Sequence, residues 1–288
     1  MTLSDAAAAD AAAHLARLDS IVPGQVNAAH VVGSAVLDDY HPGTSDLDLV
    51  IELTHEPTEA DLAVLLDAHL GAGAKVECQY LRSGALGTPN PVGSMINEGV
   101  VHFACKELHA VTRLQLASYA TTLRGPAPAI EPDVPAAQEF CRGNLVDYWT
   151  RWLTGGMRIM LRYAPEPVTE QWRWAVVWVG LGPARLWHTI NTGEIVSKCQ
   201  AGELAAERWP DLAEPLLDIV AARTGETVVL GNAHGRAAVE VGRRIMAEAG
   251  IDPVGPDKAR GAGSADPGAA ERARQADTDA AGEAGAPN

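Results

Sequence analysis

The sequence is poor in several residue types, and each shortage excludes a class of protein. Only four cysteines occur among 288 residues, namely Cys78, Cys105, Cys141 and Cys199. They lie far apart and form no Cys-x-x-Cys pair, so we expect buried thiols in a reducing cytosol rather than a zinc site or a disulfide scaffold. Phenylalanine occurs twice against seven tryptophans, so some tryptophans must fill the core.

Positive charge and long apolar runs are also scarce. The 22 Lys and Arg residues are outnumbered by 37 Asp and Glu residues, and the formal net charge is −15. Nucleic acid is not an expected partner, because its phosphates are bound by clustered basic side chains. The acidity favours a cationic partner or substrate, or serves solubility alone. Because Pro183 and Arg185 interrupt the most apolar stretch and the N-terminus opens with Asp5 and Asp10, we predict neither a membrane span nor a signal peptide, and a cytoplasmic location.

Hydrophobic periodicity divides the chain into two differently built parts. The first part mixes predicted helices over 4–21 and 59–70 with predicted strands over 28–32, 46–53, 74–81 and 100–103. Pro89, Pro91 and Gly93 indicate a loop between the last two strands. The later segments carry helical patterns, over 107–122, 136–153, 169–191, 200–208, 211–223 and 233–249.

These patterns predict an α+β fold with two domains. An N-terminal domain over 1–110 would contain a small mixed sheet with helices, and a C-terminal domain over 111–254 would be an all-α helical bundle. Residues 255–288 contain almost no large apolar side chain, so a disordered tail is expected there. The sequence indicates no oligomeric state.

The most informative stretch runs from Gly33 to Asp48, between two predicted strands. Because side chains alternate across a strand, Asp46 and Asp48 point to the same face. Two neighbouring carboxylates repel each other unless a cation lies between them, and Mg²⁺ prefers such oxygen ligands. A tight turn at Gly33 and Ser34 offers backbone N–H groups and a hydroxyl to a phosphate. We therefore predict a site where a metal ion and a nucleotide meet.

A third carboxylate lies on the next predicted strand. Glu77 is on the polar face of that strand, and Val76, Cys78 and Tyr80 form its apolar face. Adjacent strands place such residues within reach of each other. Glu77 is a candidate third metal ligand or general base for an attacking hydroxyl, and the competing interpretation is an exposed strand glutamate.

The stretch GSAVLDDYHPGTSDLDLVI resembles the nucleotidyltransferase signature of the DNA polymerase β superfamily. It is most similar to the aminoglycoside 3''-adenylyltransferases, in which Gly-Ser-Ala-Val precedes a Ser-Asp-x-Asp strand by a similar gap. The helical segment ARLWHTINTGEIVSKCQAGELAAERWP resembles the C-terminal segment of that family, and TLRGPAP resembles its interdomain region. The similarity extends over residues 25–225.

The resemblance implies roles for individual residues. Asp46 and Asp48 would bind Mg²⁺, and Glu77 would act as catalytic base and further metal ligand. The implied contacts with the triphosphate of ATP are those of Gly33, Ser34, Ser45, Arg185 and Lys198. Trp172 falls where streptomycin-binding members carry a tryptophan, which implies a contact with the acceptor. Apart from the resemblance, Arg185 and Lys198 are better explained as cations that complement helix dipoles.

The predicted function is ATP- and Mg²⁺-dependent transfer of AMP to a hydroxyl of a cationic small molecule, such as the aminoglycoside streptomycin or the aminocyclitol spectinomycin. One alternative is a nucleotidyltransferase with another small-molecule or protein acceptor, because acceptor pockets vary more than metal sites. Another is a non-catalytic nucleotide-binding module, such as an antitoxin, which the three carboxylates and the long helical part disfavour. A nucleic-acid polymerase is disfavoured by the lack of a basic stripe.

Overall fold

The computed structural model describes residues 2–89, 91–105 and 108–251, without the side chains of residues 104 and 105. The tail predicted over 255–288 lies outside the described residues. All the described residues belong to one compact unit. The domain boundary predicted near residue 110 therefore stays a prediction.

The N-terminal part is built on a mixed sheet, as predicted. Within the described residues the sheet has six strands in the order β5-β4-β3-β2-β1-β6. The strands are β1 (Val26–Val31), β2 (Leu47–Leu53), β3 (Val76–Arg82), β4 (Gly93–Asn97), β5 (Val100–Cys105) and β6 (Thr121–Arg124). Strands β2 and β3 run parallel, because helix α2 (Glu59–Leu70) crosses over between them, and the other described pairs are antiparallel.

Two helices cover one face of this sheet. Helix α1 (Asp5–Ile21) begins at the N-cap Ser4, and α2 begins at a capping box formed by Thr58 and Asp61. Their apolar side chains pack with those of the central strands in one core, where Leu18 and Leu65 are fully buried. Each buried leucine contributes roughly 1.5–3 kcal/mol, so this packing holds β2 and β3 in place below the functional residues.

The C-terminal part is helical, as predicted. Its helices are α3 (Ala110–Ser118), α4 (Val134–Asn144), α5 (Thr150–Leu153), α6 (Gly155–Arg162), α7 (Glu170–Thr192), α8 (Lys198–Arg208), α9 (Ala213–Arg223) and α10 (Asn232–Glu248). A π-helical turn, Leu145–Trp149, joins α4 to α5. The long helix α7 contacts α4, α8, α9 and α10, so it is the central element of this part.

The structure corrects the sequence-based assignment at two strands. The helix predicted over 107–122 ends at Ser118, and Thr121–Arg124 returns to the sheet as the edge strand β6 beside β1. Arg124 donates two hydrogen bonds of 2.6 Å to Asp19 of α1, which fixes that edge. Gly93, predicted to lie in a loop, begins β4. Among the described residues, no helix is long and apolar enough to cross a membrane.

Candidate active site

The three predicted carboxylates lie at the start of two neighbouring strands. Asp48 of β2 is in register with Glu77 of β3. In-register residues of adjacent parallel strands share a face and lie about 4.8 Å apart. Asp46 precedes β2 by one residue and acts electrostatically on Asp48. The structure therefore brings the predicted cluster together.

The electrostatics of Asp48 fit a bound cation. Burial raises the pKa of Asp48, and the charge of Asp46 raises it further. Lys198, Arg185 and a hydrogen bond from the Ser34 backbone N–H oppose that rise without cancelling it. The carboxylates offer the hard oxygen atoms that Mg²⁺ prefers, and a divalent cation would remove their repulsion.

The Gly-Ser turn positions Asp48. Gly33 opens a short 3₁₀ helix with a φ of +68°, and a Cβ added to it would overlap Asp48 Oδ2 and lie 2.5 Å from Asp48 Cγ. The Gly33 N–H donates to Gln115 Oε1 at 3.3 Å, and the Ser34 N–H donates to Asp48. Both backbone donors predicted for a phosphate thus bond to protein groups. Phosphate contacts by Gly33 and Ser34 stay predictions.

Ser45 closes the loop between the turn and β2. Its buried hydroxyl accepts from the His41 N–H at 3.0 Å, donates to the Asp39 carbonyl at 3.3 Å and lies 3.4 Å from Arg223 Nη2. These three contacts give Ser45 a role in holding the loop. Its predicted contact with a triphosphate stays a prediction.

Two predicted cations from the helical part face these carboxylates. Arg185 of α7 and Lys198, the first residue of α8, both lower the pKa of Asp48. Burial lowers the pKa of Lys198 to about 8, with Arg185 and Arg223 adding repulsion. Burial, followed by repulsion from Arg223, also lowers the pKa of Arg185. Arg185 Nε is buried without a hydrogen-bond partner in the part of the chain that the structure describes. Clustered, half-buried cations with an unpaired donor fit a polyanionic ligand.

Two further charged residues of the site, Arg223 and Asp39, are not predicted by any sequence pattern. Arg223 ends α9, is 6% exposed and places Nε 3.4 Å from Asp39 Oδ2. Burial alone would raise the pKa of Asp39, but hydrogen bonds from Cys199 and His41 and the charge of Arg223 lower it overall. No local pattern could have revealed the pair, because the two residues are 184 positions apart.

Asp39, His41 and Cys199 also bring three possible metal-ligand atoms within 4.8 Å of one another. Asp39 Oδ1 already bonds to His41 Nε2 at 2.8 Å, and Oδ2 faces the Arg223 guanidinium. The positive charge of Arg223 neutralises the carboxylate. Hydrogen bonds therefore account for this cluster without a metal ion.

Trp172, which is predicted to contact an acceptor, lies inside the helical part of the protein. Trp172 is 3% exposed, lies in the helical core and donates from Nε1 to the Met160 carbonyl at 3.1 Å. Residues two positions apart on a helix point to nearly opposite sides. The exposed aromatic residue of this segment is therefore Trp174, which is 55% exposed.

Trp174 belongs to an aromatic surface formed with Trp152 and Trp178. The rings of Trp174 and Trp178 stack at 5.7 Å between centroids, and Trp152 lies 6.1 Å from Trp174. Lys198 Nζ lies 4.8 Å above the Trp178 ring. The aromatic surface therefore adjoins the cation that faces the carboxylates.

Two family models match the parts of the chain that carry this geometry. Residues 13–84 match the family described as "Nucleotidyltransferase domain". Residues 161–248 match "Aminoglycoside adenylyltransferase, C-terminal domain". The chain is an aminoglycoside adenylyltransferase-like nucleotidyltransferase. Together the matches cover more than half of the chain, and they confirm the fold class and the enzyme class predicted from the sequence.

A solved structure has the same fold as this adenylyltransferase-like protein. It is the spectinomycin adenyltransferase AAD(9) from Enterococcus faecialis, solved with ATP and spectinomycin. The TM-score is 0.56 at 15% sequence identity, and the alignment covers 81% of this chain and 98% of that chain. A search of curated proteins gives no match. At this identity the likeness establishes the fold and leaves the ligands to be argued from the site.

Proposed function

We propose that the enzyme transfers AMP from ATP to a hydroxyl group of a cationic small molecule, with Mg²⁺ as cofactor. The observation that carries the proposal is the meeting of Asp46, Asp48 and Glu77 with the half-buried cations Arg185 and Lys198. Carboxylates alone would fit many metal sites, and cations alone would fit many anions. Their combination fits a metal-bound triphosphate. The binding of ATP by AAD(9), a protein of the same fold, supports this choice of co-substrate.

The proposed reaction is an in-line displacement at the α-phosphorus of ATP. The acceptor oxygen forms a bond to that phosphorus, the bond to the β-phosphate oxygen breaks, and pyrophosphate leaves. Asp46, Asp48 and Glu77 would hold Mg²⁺, which when bound supplies charge that polarises the phosphate oxygens. Arg185 and Lys198 bind the triphosphate and stabilise the leaving pyrophosphate.

The acceptor hydroxyl needs a base, and Glu77 is the proposed one. It lies beside Asp48 in register, so a hydroxyl directed at the α-phosphorus would come within reach of it. The proton passes to the Glu77 carboxylate as the new oxygen–phosphorus bond forms.

The aromatic surface supports a cationic acceptor. The faces of Trp174 and Trp178 attract ammonium and guanidinium groups, and their stacked rings offer an apolar wall to sugar rings. The net charge of −15 draws polycations towards the enzyme. Aminoglycoside and aminocyclitol antibiotics such as streptomycin and spectinomycin combine these features, and AAD(9) was solved with spectinomycin.

The test is ATP-dependent pyrophosphate release with a panel of acceptors. Streptomycin, spectinomycin and other aminoglycosides are compared with neutral sugars, and mass spectrometry identifies the product. We expect one or more cationic acceptors to gain an AMP group in the wild type and none in Asp46→Asn. AMP transfer to a neutral sugar alone would refute the acceptor class. Calorimetric ATP binding without turnover of any acceptor would favour the non-catalytic module instead.

A further inference from the structure

One buried side chain joins the loop above the sheet to two helices of the C-terminal part. Asp39 is 2% exposed, and its Oδ2 lies 3.4 Å from Arg223 Nε and accepts from the Cys199 N–H at 3.3 Å. Oδ1 bonds to His41 Nε2 at 2.8 Å. The carboxylate thus contacts α8 and α9 from a loop that leads into β2.

Stability alone does not explain this buried ion pair. The cost of removing two charges from water often cancels their attraction, so apolar side chains would serve stability as well. What an ion pair adds is a defined geometry. Here the defined feature is the start of α8, because Ser197 Oγ accepts from the Gln200 N–H and Asp39 accepts from the Cys199 N–H. A carboxylate at a helix N-terminus is also favoured by the helix dipole.

The anchored residue is next to Lys198, whose ammonium group faces Asp46 and Asp48. Asp39 and Asp46 belong to the same loop. The backbone that carries the cation is therefore tied to the backbone that carries the carboxylates.

The pairing of Asp39 with Arg223 also reduces repulsion among the cations of the site. Arg223 repels both Lys198 and Arg185, whose pKa values it lowers. Pairing with Asp39 neutralises Arg223, and this allows the other two cations to face the triphosphate site together.

We propose that Asp39 is a positioning residue, which acts through Cys199 and Arg223 to hold Lys198 against the metal-binding carboxylates and so sets the affinity for ATP. The proposal rests on the proposed function for its nucleotide. The anchoring itself can be tested without one.

The first experiment is hydrogen exchange of the ligand-free full chain. Asp39→Asn keeps the size of the side chain and removes its charge, so we expect exchange at the start of α8, around Cys199, to accelerate about tenfold or more. Asp211→Asn is the matched control, because it breaks an ion pair with Arg244 whose atoms lie 2.6 Å apart, away from the site. Unchanged exchange around Cys199 in Asp39→Asn would overturn the anchoring.

The second experiment is a double-mutant cycle on the dissociation constant of MgATP, measured by calorimetry. We expect Asp39→Asn to weaken binding about tenfold in the wild type and less than twofold in a Lys198→Met background, because the two changes remove one interaction. Losses that multiply would show that Asp39 does not act through Lys198. In steady-state kinetics, we expect Asp39→Asn to raise the KM for ATP more than it lowers kcat.

Misfolding of the variant and failure of the proposed function can both be distinguished from failure of this proposal. If Asp39→Asn does not fold, the double variant Asp39→Asn, Arg223→Gln replaces the ion pair by two neutral amides and takes its place in both experiments. If the wild type neither binds nor turns over ATP, the proposed function fails, and the anchoring still stands or falls on the exchange measurement.

Discussion

Replacing Gly33 by alanine tests the geometry at the centre of the site. A Cβ at this position would lie 2.5 Å from Asp48 Cγ, whereas an ordinary contact begins at 3.4 Å. Because Oδ2 lies closer still to that Cβ, the Asp48 side chain must move by at least about 1 Å. A misplacement of that size in a catalytic site costs about 100-fold in rate. We expect Gly33→Ala to lose AMP transfer by about that factor.

Backbone strain also contributes to the effect of Gly33→Ala, and a second glycine with a positive φ, Gly24, allows this contribution to be measured alone. Gly33 has a φ of +68° and Gly24 has a φ of +73°, but a Cβ at Gly24 meets no described atom within 4 Å. The left-handed conformation costs alanine about 1–2 kcal/mol, and reduced freedom of the unfolded chain returns roughly 0.4–1 kcal/mol. Gly24→Ala should therefore lose about 1 kcal/mol of unfolding free energy and keep its activity.

The assays are urea denaturation and ATP-dependent pyrophosphate release, made on both variants. Gly33→Ala should lose more stability than Gly24→Ala and far more activity. Equal activities in the two folded variants would refute the inference that glycine is required at position 33 because any Cβ there would displace the Asp48 carboxylate.

Three further predictions concern charge and aromatic contacts. The pKa of Lys198 falls from 10.5 in the unfolded chain to about 8 in the folded protein, and a bound triphosphate favours the charged form. ATP binding should therefore take up a proton near pH 8 and weaken as the pH rises through that value. Calorimetry in two buffers measures the proton uptake, which Lys198→Arg should abolish. Burial and Asp46 raise the pKa of Asp48 in the folded state. The contribution of Asp48 to the free energy of unfolding is therefore fully present below its unfolded pKa, and it is lost as the pH rises through the raised value. Asp48→Asn should accordingly leave the ligand-free protein at least as resistant to urea at neutral pH while reducing AMP transfer by about 10³-fold or more, and a loss of stability would contradict this assignment. Trp174→Ala should raise the KM for the acceptor about tenfold with an unchanged Tm, whereas Trp172→Ala should cost about 3–5 kcal/mol of stability. Thermal melts and steady-state kinetics measure both effects. The opposite pattern would favour Trp172 as the residue that contacts the acceptor.

Features that depend on neighbouring residues were predictable from the sequence. Helix α2 has its predicted bounds, Glu59–Leu70, because its start and end signals lie within the segment itself. The proximity of Asp46, Asp48 and Glu77 was predictable because strand alternation and the order of the strands along the chain are local patterns.

Features that depend on distant partners were not predictable. The contact of Asp39 with Cys199 spans 160 positions, and nothing in a loop of polar residues indicates which of them is buried. Strands β4 and β6 were missed because they are short and are stabilised by pairing with other strands. Which of Trp172 and Trp174 faces the core depends on how α7 is rotated against its neighbours, and helical periodicity in a tryptophan-rich segment leaves that open.

The edge strand β6 determines where the chain can be cut if its helical part is to be exchanged for that of a relative. A fragment ending near residue 110 would leave the edge of β1 unpaired and remove the partner of Asp19. Unpaired edges invite association with other chains, so such a fragment should aggregate. A fragment that continues past Arg124 keeps β1 paired with β6 and leaves only that four-residue strand at the edge. Exchange of helical halves between relatives, in the laboratory or by recombination, should therefore yield folded chimaeras only when the junction follows β6.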